Sequence, residues 1–511
     1  MYDLIFNGNI ISLDQYDSIY NWIYIKDGLI KDAGVYDGYM RYQEFCNKPL
    51  DLKGRTILPS FIDSHVYLIQ TGINKLAVDL SQAKCFDDIF NALRDRAKTI
   101  PNGQLIRGVK FDEFNLKEKR FPTRYELDRH FPDHPIWINR VEMHTSLVNS
   151  YALSQLKVPF NMPGVHEENG KPTGVIYDRA NAYIRNKFYS AMTDEHRNKG
   201  VSLAIQHALE YGVTTVNAIE AGFAFCDSDG DFIYEHQNEM PIDVVLFYQT
   251  IDLEKLKRMG ISRVGCIFLD GSIGSRTAAV SIPYCDEDAN YGSLYYSEQS
   301  IKEFVLRAHK MDFQIAIHAV GDRAIDLALD AFENALTLYP KRNHRHRIEH
   351  FELPSKRAIR RMSDLNIIAS MVPNAPLYWS HKEAAYGVRL GEIRLESNNP
   401  FREILDMGVK IAGGSDSDIT DMHPFSSIHV LVNESNLKRK TTLKQALKMF
   451  TIDAAYAIFQ DSIKGSIEIN KYADFIIIDQ NPFEIDQALL KDTQILMTIK
   501  EGKVLYQRLE V

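Results

Sequence analysis

The chain has 511 residues, of which 45% are hydrophobic and 25% are charged, and its formal net charge is -9. This composition is typical of a globular protein with a large core. The mild negative charge gives no reason to expect nucleic acid or an anionic membrane as a partner, since those bind clustered basic surfaces. The sequence contains no apolar run long enough to span a membrane and does not begin like a signal peptide. The five cysteines are odd in number and scattered, unlike a secreted disulfide framework. We therefore expect a cytoplasmic protein that acts on a small-molecule substrate and binds neither nucleic acid nor membrane.

Both ends of the chain carry short runs that alternate apolar and polar residues and are separated by turn formers, as in 4–8, 22–28 and 30–34 near the start and 473–479 and 499–506 near the end. Chain ends often lie close together on a domain surface. We therefore predict one β-sandwich domain built from residues 1–56 and 455–511.

Between these ends, apolar strands alternate with helical stretches, which predicts an α/β fold, a (β/α)8 barrel of the TIM type over residues 57–454. The first two strands are separated by roughly 150 residues, more than one strand-to-helix step needs, so we predict an inserted lid-like subdomain at about 75–200. The clearest strands are at 56–62, 213–218, 264–269, 314–317, 345–350, 367–371 and 409–413.

Residues that commonly bind metals stand at or near the ends of five of these strands: His65, Cys266, His318, His350 and Asp416. Strand ends of a parallel barrel open onto one face, so residues distant in sequence can meet there. Imidazole, thiolate and carboxylate together suit Zn²⁺ best. A single histidine is more often a hydrogen-bonded core residue, but three of them in register with a late Gly-Ser-Asp predict a metal site.

Several segments are specific enough to resemble a known family. The chain resembles the amidohydrolase superfamily nearly end to end, and within it the branch of metal-dependent hydrolases that includes N-substituted formamide deformylase. The segments that carry the resemblance are Pro-Thr-Arg-Tyr-Glu-Leu-Asp at 122–128, His-Thr-Ser-Leu-Val-Asn-Ser at 144–150, 270–278, His-Ala-Val-Gly-Asp-Arg-Ala at 318–324, Arg-Ile-Glu-His at 347–350, and 471–479.

The resemblance implies a set of metal ligands from which two positions depart. The family carries a His-x-His pair on the first strand, but only His65 is present because Tyr67 occupies the second place. A neutral phenol is a poor ligand, so Tyr67 is open to three roles: a ligand, a hydrogen-bond donor to the oxyanion, or a space filler. Cys266 aligns with the family lysine that can be carboxylated to bridge two metals, and a thiolate is a good ligand in its own right.

The remaining ligands match the family pattern. His318 and His350 correspond to the two later histidines, and Asp416 to the aspartate that contacts the metal and takes a proton from the attacking water. A site of His318, His350 and Cys266, with Asp416 nearby, would be complete for one Zn²⁺ with an open position, which favours one ion over two. The resemblance thus implies hydrolysis of a C–N bond, in an amide or related group, with Asp416 as general base.

Other residues and other functions stay open. His144 is predicted either to bind the substrate or to shape a turn, and Arg276 either to bind a substrate carboxylate or to pair with a structural acid. Because two ligands differ from the family set, a catalytically impaired barrel serving as a ligand-binding or regulatory protein is the main alternative, and a lyase or isomerase is another. Neither the substrate nor a homo-oligomeric state can be read from the sequence.

Overall fold

An eight-stranded parallel barrel forms the centre of the structure, a computed structural model that describes residues 2–222 and 225–508. The predicted TIM-type barrel is therefore confirmed. Six of the strands overlap predicted segments closely, β1 shares only Phe61 and Ile62 with the first predicted segment, and β3 is an additional strand. The strands, each hydrogen-bonded to the next, are β1 (Phe61–Val66), β2 (Val213–Glu220), β3 (Asp243–Tyr248), β4 (Arg263–Phe268), β5 (Gln314–Ala319), β6 (Arg347–His350), β7 (Ile368–Met371) and β8 (Ile411–Gly413).

The chain after β8 closes the barrel against β1. The Asp416 N–H donates to the carbonyl of His65 at 2.9 Å, and the Tyr67 N–H donates to the carbonyl of Ser417 at 3.0 Å. Gly414 allows this approach, because a Cβ there would lie 2.8 Å from the backbone N of His65. The glycine of the Gly-Ser-Asp motif thus brings His65 and Asp416 side by side.

The first predicted strand is divided at Ser60. Thr56–Pro59 pairs with strands from both chain ends, whereas β1 belongs to the barrel. The hydrogen-bond partners change at this point. The Ser60 N–H donates to the backbone carbonyl of Asp474 at 3.1 Å, in the end domain, and the Phe61 N–H donates to the backbone carbonyl of Gly212 at 2.9 Å, next to β2. One apolar run therefore joins the end domain directly to the barrel.

The two chain ends together form two sheets, as predicted for the fold class. Isoleucines from both ends fill the core between them, including Ile5, Ile23 and Ile57 from the start and Ile477 and Ile499 from the end. The exact boundaries of this domain remain predictions. In sheet order, the strands are Leu29–Gly34, Trp22–Lys26, Leu4–Phe6 and Pro49–Asp51 in one sheet, and Lys503–Gln507, Ile495–Lys500, Phe475–Ile478, Thr56–Pro59, Asn9–Ile11 and Ile19–Tyr20 in the other.

The long segment between β1 and β2 forms a subdomain with its own mixed sheet and apolar cores. Its strands, in sheet order, are Val165–Glu168, Lys171–Tyr177, Thr145–Val148, Ile136–Arg140, Ile106–Phe111 and Val78–Asp79. Its helices are Phe86–Ala97, Arg124–His130, Ser150–Gln155 and Asp178–Ser190, with a 3-10 turn at Glu113–Asn115.

The remaining helices lie mainly around the barrel, and none of the helices described is long and apolar enough to cross a membrane. They are Leu68–Asn74, Asp194–Glu210, Asp227–His236, Leu253–Met259, Glu298–Lys310, Asp322–Leu338, Lys356–Asp364, Ala375–Trp379, Ala385–Glu396, Phe401–Asp406, Pro424–Asn433, Leu443–Met449 and Ile452–Ala457, together with Met40–Gln43 and 3-10 turns at Tyr36–Tyr39, Gln237–Glu239 and Gln487–Asp492.

Two of these helices meet at a glycine pair. A Cβ at Gly72 would lie 1.7 Å from the carbonyl oxygen of Gly200. We expect Gly72→Ala to lower the free energy of unfolding by about 1–3 kcal/mol, because the backbones must separate, as measured by urea denaturation. Ser202→Ala, an exposed change on the same helix as Gly200, should stay within about 0.5 kcal/mol of the native protein. Equal midpoints for the two variants would contradict this packing argument.

The Pro-Thr-Arg-Tyr-Glu-Leu-Asp segment is a helix start. The Thr123 hydroxyl accepts from the Glu126 N–H at 3.2 Å, and the Glu126 carboxylate accepts from the Thr123 N–H at 2.6 Å. This reciprocal pair is a capping box at the first turn of Arg124–His130. Arg120 also binds the carboxylate, at 2.8 Å. The motif therefore has a structural role, because it caps a helix of the inserted subdomain.

The charge of Glu126 makes this helix start sensitive to acid. The hydrogen bond from Arg120, aided by Thr123, holds the pKa of Glu126 at about 2, below its usual 4.5. The ionised form is favoured on folding, so its stabilisation is present above about pH 4.5 and is lost as the pH falls towards 2. We expect Glu126→Gln to be less stable than the native protein at pH 6, with the difference shrinking between pH 5 and pH 3 in thermal melts. A difference that grows on acidification would contradict this assignment.

Candidate active site

A buried ion pair on β6 positions His65 on β1. The Nδ1 of His65 lies 2.7 Å from Glu349 Oε2 and donates to it, and Arg347 Nη2 binds the same oxygen at 2.8 Å. Burial opposes ionisation of Glu349, but the charge of Arg347 and the hydrogen bond from His65 outweigh it and hold the pKa of Glu349 at about 2. The carboxylate fixes the His65 tautomer, leaving its Nε2 free to accept a proton or bind a metal.

The free nitrogen of His65 faces Asp416. His65 Nε2 lies 3.5 Å from Asp416 Oδ1, both atoms are buried, and neither has a hydrogen-bond partner in the part of the chain the structure describes. Nitrogen and oxygen ligands of one tetrahedral zinc ion lie about 3.4 Å apart, given metal–ligand distances near 2.1 Å. Burial raises the pKa of Asp416 to about 7, although His65 acts in the opposite direction. This pair has the spacing and the unsatisfied atoms expected of two ligands of one ion.

Two further histidines, His318 and His350, lie beside this pair. The ring of His350 is 5.1 Å from that of His65 and 4.5 Å from that of His318. His318 Nδ1 is buried without a hydrogen bond, although Asp270 Oδ1 is 3.3 Å away. Burial and the neighbouring histidines lower the pKa of His350 well below its usual value, so it is neutral, as a metal ligand must be.

No group of three or more His, Cys, Asp or Glu side chains is arranged to hold a metal ion within residues 2–222 and 225–508. The donor chemistry nevertheless fits a divalent ion, because unpartnered buried nitrogen and oxygen atoms of His65, His318 and Asp416 lie at the barrel mouth. These are the residues that could hold one.

Tyr67 and Cys266 both belong to an apolar cluster inside the barrel. The Tyr67 ring is 5.4 Å from His65 and 4.8 Å from Phe225. Burial raises the pKa of the Tyr67 phenol and of the Cys266 thiol well above their usual values, with nearby carboxylates adding to the effect. Both groups are therefore protonated in the metal-free protein, and their proposed roles stay predictions.

His144 and Arg276 lie in different surroundings. The ring of His144 is 5.9 Å from that of His318, and burial, together with the neighbouring His318, lowers the pKa of His144 to about 3. Arg276 forms two hydrogen bonds to Asp286, at 2.7 and 3.1 Å, and a further ion pair with Glu287. A role in substrate binding remains a prediction for both residues, and the Arg276 guanidinium is already paired with acids.

Several supporting acids were not predicted as site residues. The Asp63 carboxylate accepts hydrogen bonds from the backbone N–H of His65 at 3.2 Å and from the backbone N–H of Ser415 at 2.9 Å. These bonds connect β1 to the chain after β8. Asp270 accepts three backbone N–H groups and holds the loop after β4 against the end of β5. A period of two places Asp63 with His65, and Arg347 with Glu349, on the inner face of the barrel. For Asp63 and Glu349, that alternation is the signal in the sequence that could have found them.

A cavity of about 580 Å³ lies between helix Asp178–Ser190 of the inserted subdomain and the ends of β3 and β4. This volume is within the range of small-molecule sites. His144, Arg185 and Cys266 line it, so it reaches the histidine cluster through His144. Polar strand-end residues beside a cavity at the mouth of a TIM-type barrel define an enzyme-like site.

Comparison with known proteins gives the family. The amidohydrolase family model matches residues 49–506. The chain belongs to the amidohydrolase family and is a hydrolase.

The relatives and solved structures that resemble this chain match it over nearly its full length. The chain is 27% identical to the YtcJ protein of Bacillus subtilis (strain 168), covering 95% of this chain and 96% of that protein. It is 26% identical to N-substituted formamide deformylase of Arthrobacter pascens, covering 99% and 98%. A solved structure of an uncharacterized metal-dependent hydrolase from Pyrococcus furiosus is 26% identical and superposes with a TM-score of 0.76, covering 95% of this chain and 100% of that one.

Proposed function

We propose that the protein is a metal-dependent hydrolase that cleaves the C–N bond of an amide in a small molecule, using one divalent ion, most simply Zn²⁺. The observation that carries this proposal is the buried, unpartnered pair of His65 Nε2 and Asp416 Oδ1, 3.5 Å apart at the barrel mouth. His318 and His350 are the further ligands we propose, with Cys266 as an additional candidate. The likeness to N-substituted formamide deformylase and to a metal-dependent hydrolase supports both the metal and the amide.

Each site residue has a separate role in the proposed hydrolysis. A divalent ion supplies a Lewis acid that acidifies water and polarises a carbonyl. Asp416 takes a proton from the attacking water, whose oxygen bonds to the carbonyl carbon, and returns that proton to the departing nitrogen as the C–N bond breaks. Glu349 holds His65 in one tautomer. The Tyr67 phenol, which retains its proton, is the donor we propose for the oxyanion.

Metal analysis tests the site before any substrate is known. We expect about one Zn²⁺ per chain after incubation with zinc and desalting, and less than half of that in His65→Ala and His318→Ala. His166→Ala, an exposed histidine of a subdomain hairpin, is the matched control and should retain full occupancy. Fewer than about 0.3 equivalents in the native protein would contradict the proposal, because structured zinc sites bind far more tightly. Unchanged zinc in Cys266→Ala would remove Cys266 from the ligand set.

Activity is tested with N-substituted formamides and the corresponding acetamides, by measuring formate or acetate release. We expect release that needs added zinc and stops with a chelator. Ligand binding without zinc uptake or turnover would instead favour the ligand-binding alternative.

A further inference from the structure

Arg185 is a buried cation at the wall of the cavity. Its side chain belongs to helix Asp178–Ser190 and the residue is 6% exposed. Its guanidinium donates to the carbonyl of Met143 at 3.2 Å and to Gln70 Oε1 at 2.9 Å, both neutral groups. Among residues 2–222 and 225–508, no carboxylate lies within 4.0 Å of it, and its Nε has no hydrogen-bond partner. The guanidinium lies 4.4 Å from the centroid of the Phe225 ring, which stabilises the cation in part. Buried charges are normally also paired with an opposite charge, and Arg185 has no such partner among these residues.

The hydrogen bonds of Arg185 do not give it a structural role. The Met143 carbonyl also accepts from Asn181 Nδ2 at 2.8 Å, and Gln70 Oε1 also accepts from the Tyr189 hydroxyl at 3.3 Å. Both acceptors would therefore keep a donor without Arg185. Only two of its five N–H donors are used by these contacts. Besides these contacts the guanidinium lies over the Phe225 ring, and its other donors have no acceptor in the described part of the chain.

A second buried arginine strengthens the positive potential. Arg107 is 7% exposed and binds Asn139 Oδ1 at 3.0 Å and the Tyr189 hydroxyl at 3.3 Å. In the described part of the chain it likewise has no carboxylate within 4.0 Å. Tyr189, which also donates to the Gln70 oxygen bound by Arg185, links the two arginines. The Arg107 guanidinium also lies over the rings of Trp137, Phe188 and Tyr189. Aromatic faces and neutral acceptors, but no carboxylate of the described residues, therefore surround both cations, and an anion beside them is favoured.

The remaining lining indicates what accompanies that anion. Ile251, Ile267, Phe268 and Tyr296 give the cavity an apolar wall. Arg185 is held by the carbonyl of Met143, the residue before His144, and His144 lies beside His318. A ligand bound at Arg185 is thereby placed next to the histidine cluster.

We propose that Arg185 binds a carboxylate of the substrate, so that the amide cleaved here belongs to an N-acyl amino acid with an apolar side chain. This inference rests on the proposed hydrolase function and names its substrate class. A planar guanidinium with free donors suits the two oxygens of a carboxylate. Arg276, the arginine that the sequence indicated for this task, is already paired with Asp286.

Calorimetric titration of the full-length protein, with and without zinc, tests the proposal by binding alone. The two enantiomers of N-acetylphenylalanine are the probes, and N-acetylphenethylamine is the matched ligand that lacks the carboxylate. We expect one enantiomer to bind at least about tenfold more tightly than the neutral ligand, a difference of about 1.4 kcal/mol that one charged hydrogen bond can supply. In Arg185→Met this preference should fall below about twofold, with binding of the neutral ligand unchanged. Arg276→Met should keep the preference.

Each other outcome overturns the inference. A preference that persists in Arg185→Met, a preference lost in Arg276→Met instead, or the absence of any carboxylate preference in the native protein would each do so. Because no ion pair is lost, Arg185→Met is expected to melt at or above the native temperature, and a large decrease would assign Arg185 a structural role. Arg185→Lys, which keeps the charge but not the planar fork, should retain part of the preference. If the preference is found but zinc uptake and hydrolysis are absent, the hydrolase proposal fails while carboxylate recognition by Arg185 stands.

Discussion

Asp416→Asn is expected to lower kcat for the best amide substrate by about 10²- to 10⁴-fold, the usual contribution of a positioned general base. The change keeps the shape of the side chain but removes its ability to take a proton from water. It leaves His65 held by Glu349, because that hydrogen bond uses the opposite nitrogen of the ring. Steady-state kinetics at saturating zinc measure the effect.

Stability separates this role from a structural one. Burial raises the pKa of Asp416 to about 7, so above that pH the native metal-free protein must ionise a buried carboxyl group that an amide does not carry. The melting temperature of metal-free Asp416→Asn at pH 8 should therefore equal or exceed that of the native protein. A variant that melts normally and retains kcat would remove Asp416 from the mechanism.

Arg347→Met should lower the free energy of unfolding by about 3–5 kcal/mol, the cost of leaving one partner of a buried ion pair without the other. Arg347 and Glu349 are both fully buried, and Arg347 also binds the Ser370 hydroxyl at 2.8 Å. The measurement is the urea denaturation midpoint at pH 7. A loss below about 1 kcal/mol would mean that Arg347 does not compensate the carboxylate.

The double variant Arg347→Met with Glu349→Leu distinguishes the fold from the site. Replacing both charges with apolar groups of similar size is often neutral for stability, so most of the loss should be recovered. His65 would still lose the acceptor of its Nδ1–H. The affinity for zinc should therefore stay about 10- to 100-fold below that of the native protein, as when other groups that orient a metal ligand are removed. Recovery of both stability and zinc affinity would show that Glu349 does not orient His65.

The sequence indicated the barrel because its strands are apolar runs whose ends carry histidines and an aspartate, and that pattern depends on local order alone. Strand β3 was not among the clearest predictions, since Asp-Val-Val-Leu-Phe-Tyr is a short apolar run that a buried helix would also show. The division of the first strand at Ser60 could not be predicted either, because it depends on Gly212 and Asp474, partners that are distant in the chain.

The sequence could predict which residue types stand at the site, but not which hydrogen-bond and ion-pair partners they have. The strand-end positions of His65, His318, His350 and Asp416 follow from the barrel. The pairing of His65 with Glu349 depends on two strands that are more than 280 residues apart in sequence meeting across the barrel. The same holds for the arginines: Arg276 stands in a recognisable motif yet is paired with an acid, whereas Arg185, in no quoted motif, lines the cavity. Which charge remains unpaired is decided by packing.

The division of the first strand has a consequence for the order in which the chain can fold during synthesis. Thr56–Pro59, which leads through Ser60 into β1 and His65, has Asn9–Ile11 on one side and Phe475–Ile478 on the other. Its second neighbour leaves the ribosome more than 400 residues later. Until then that edge of the strand has unpaired N–H and C=O groups. The entry to the His65 strand is therefore among the last parts of the molecule to be completed.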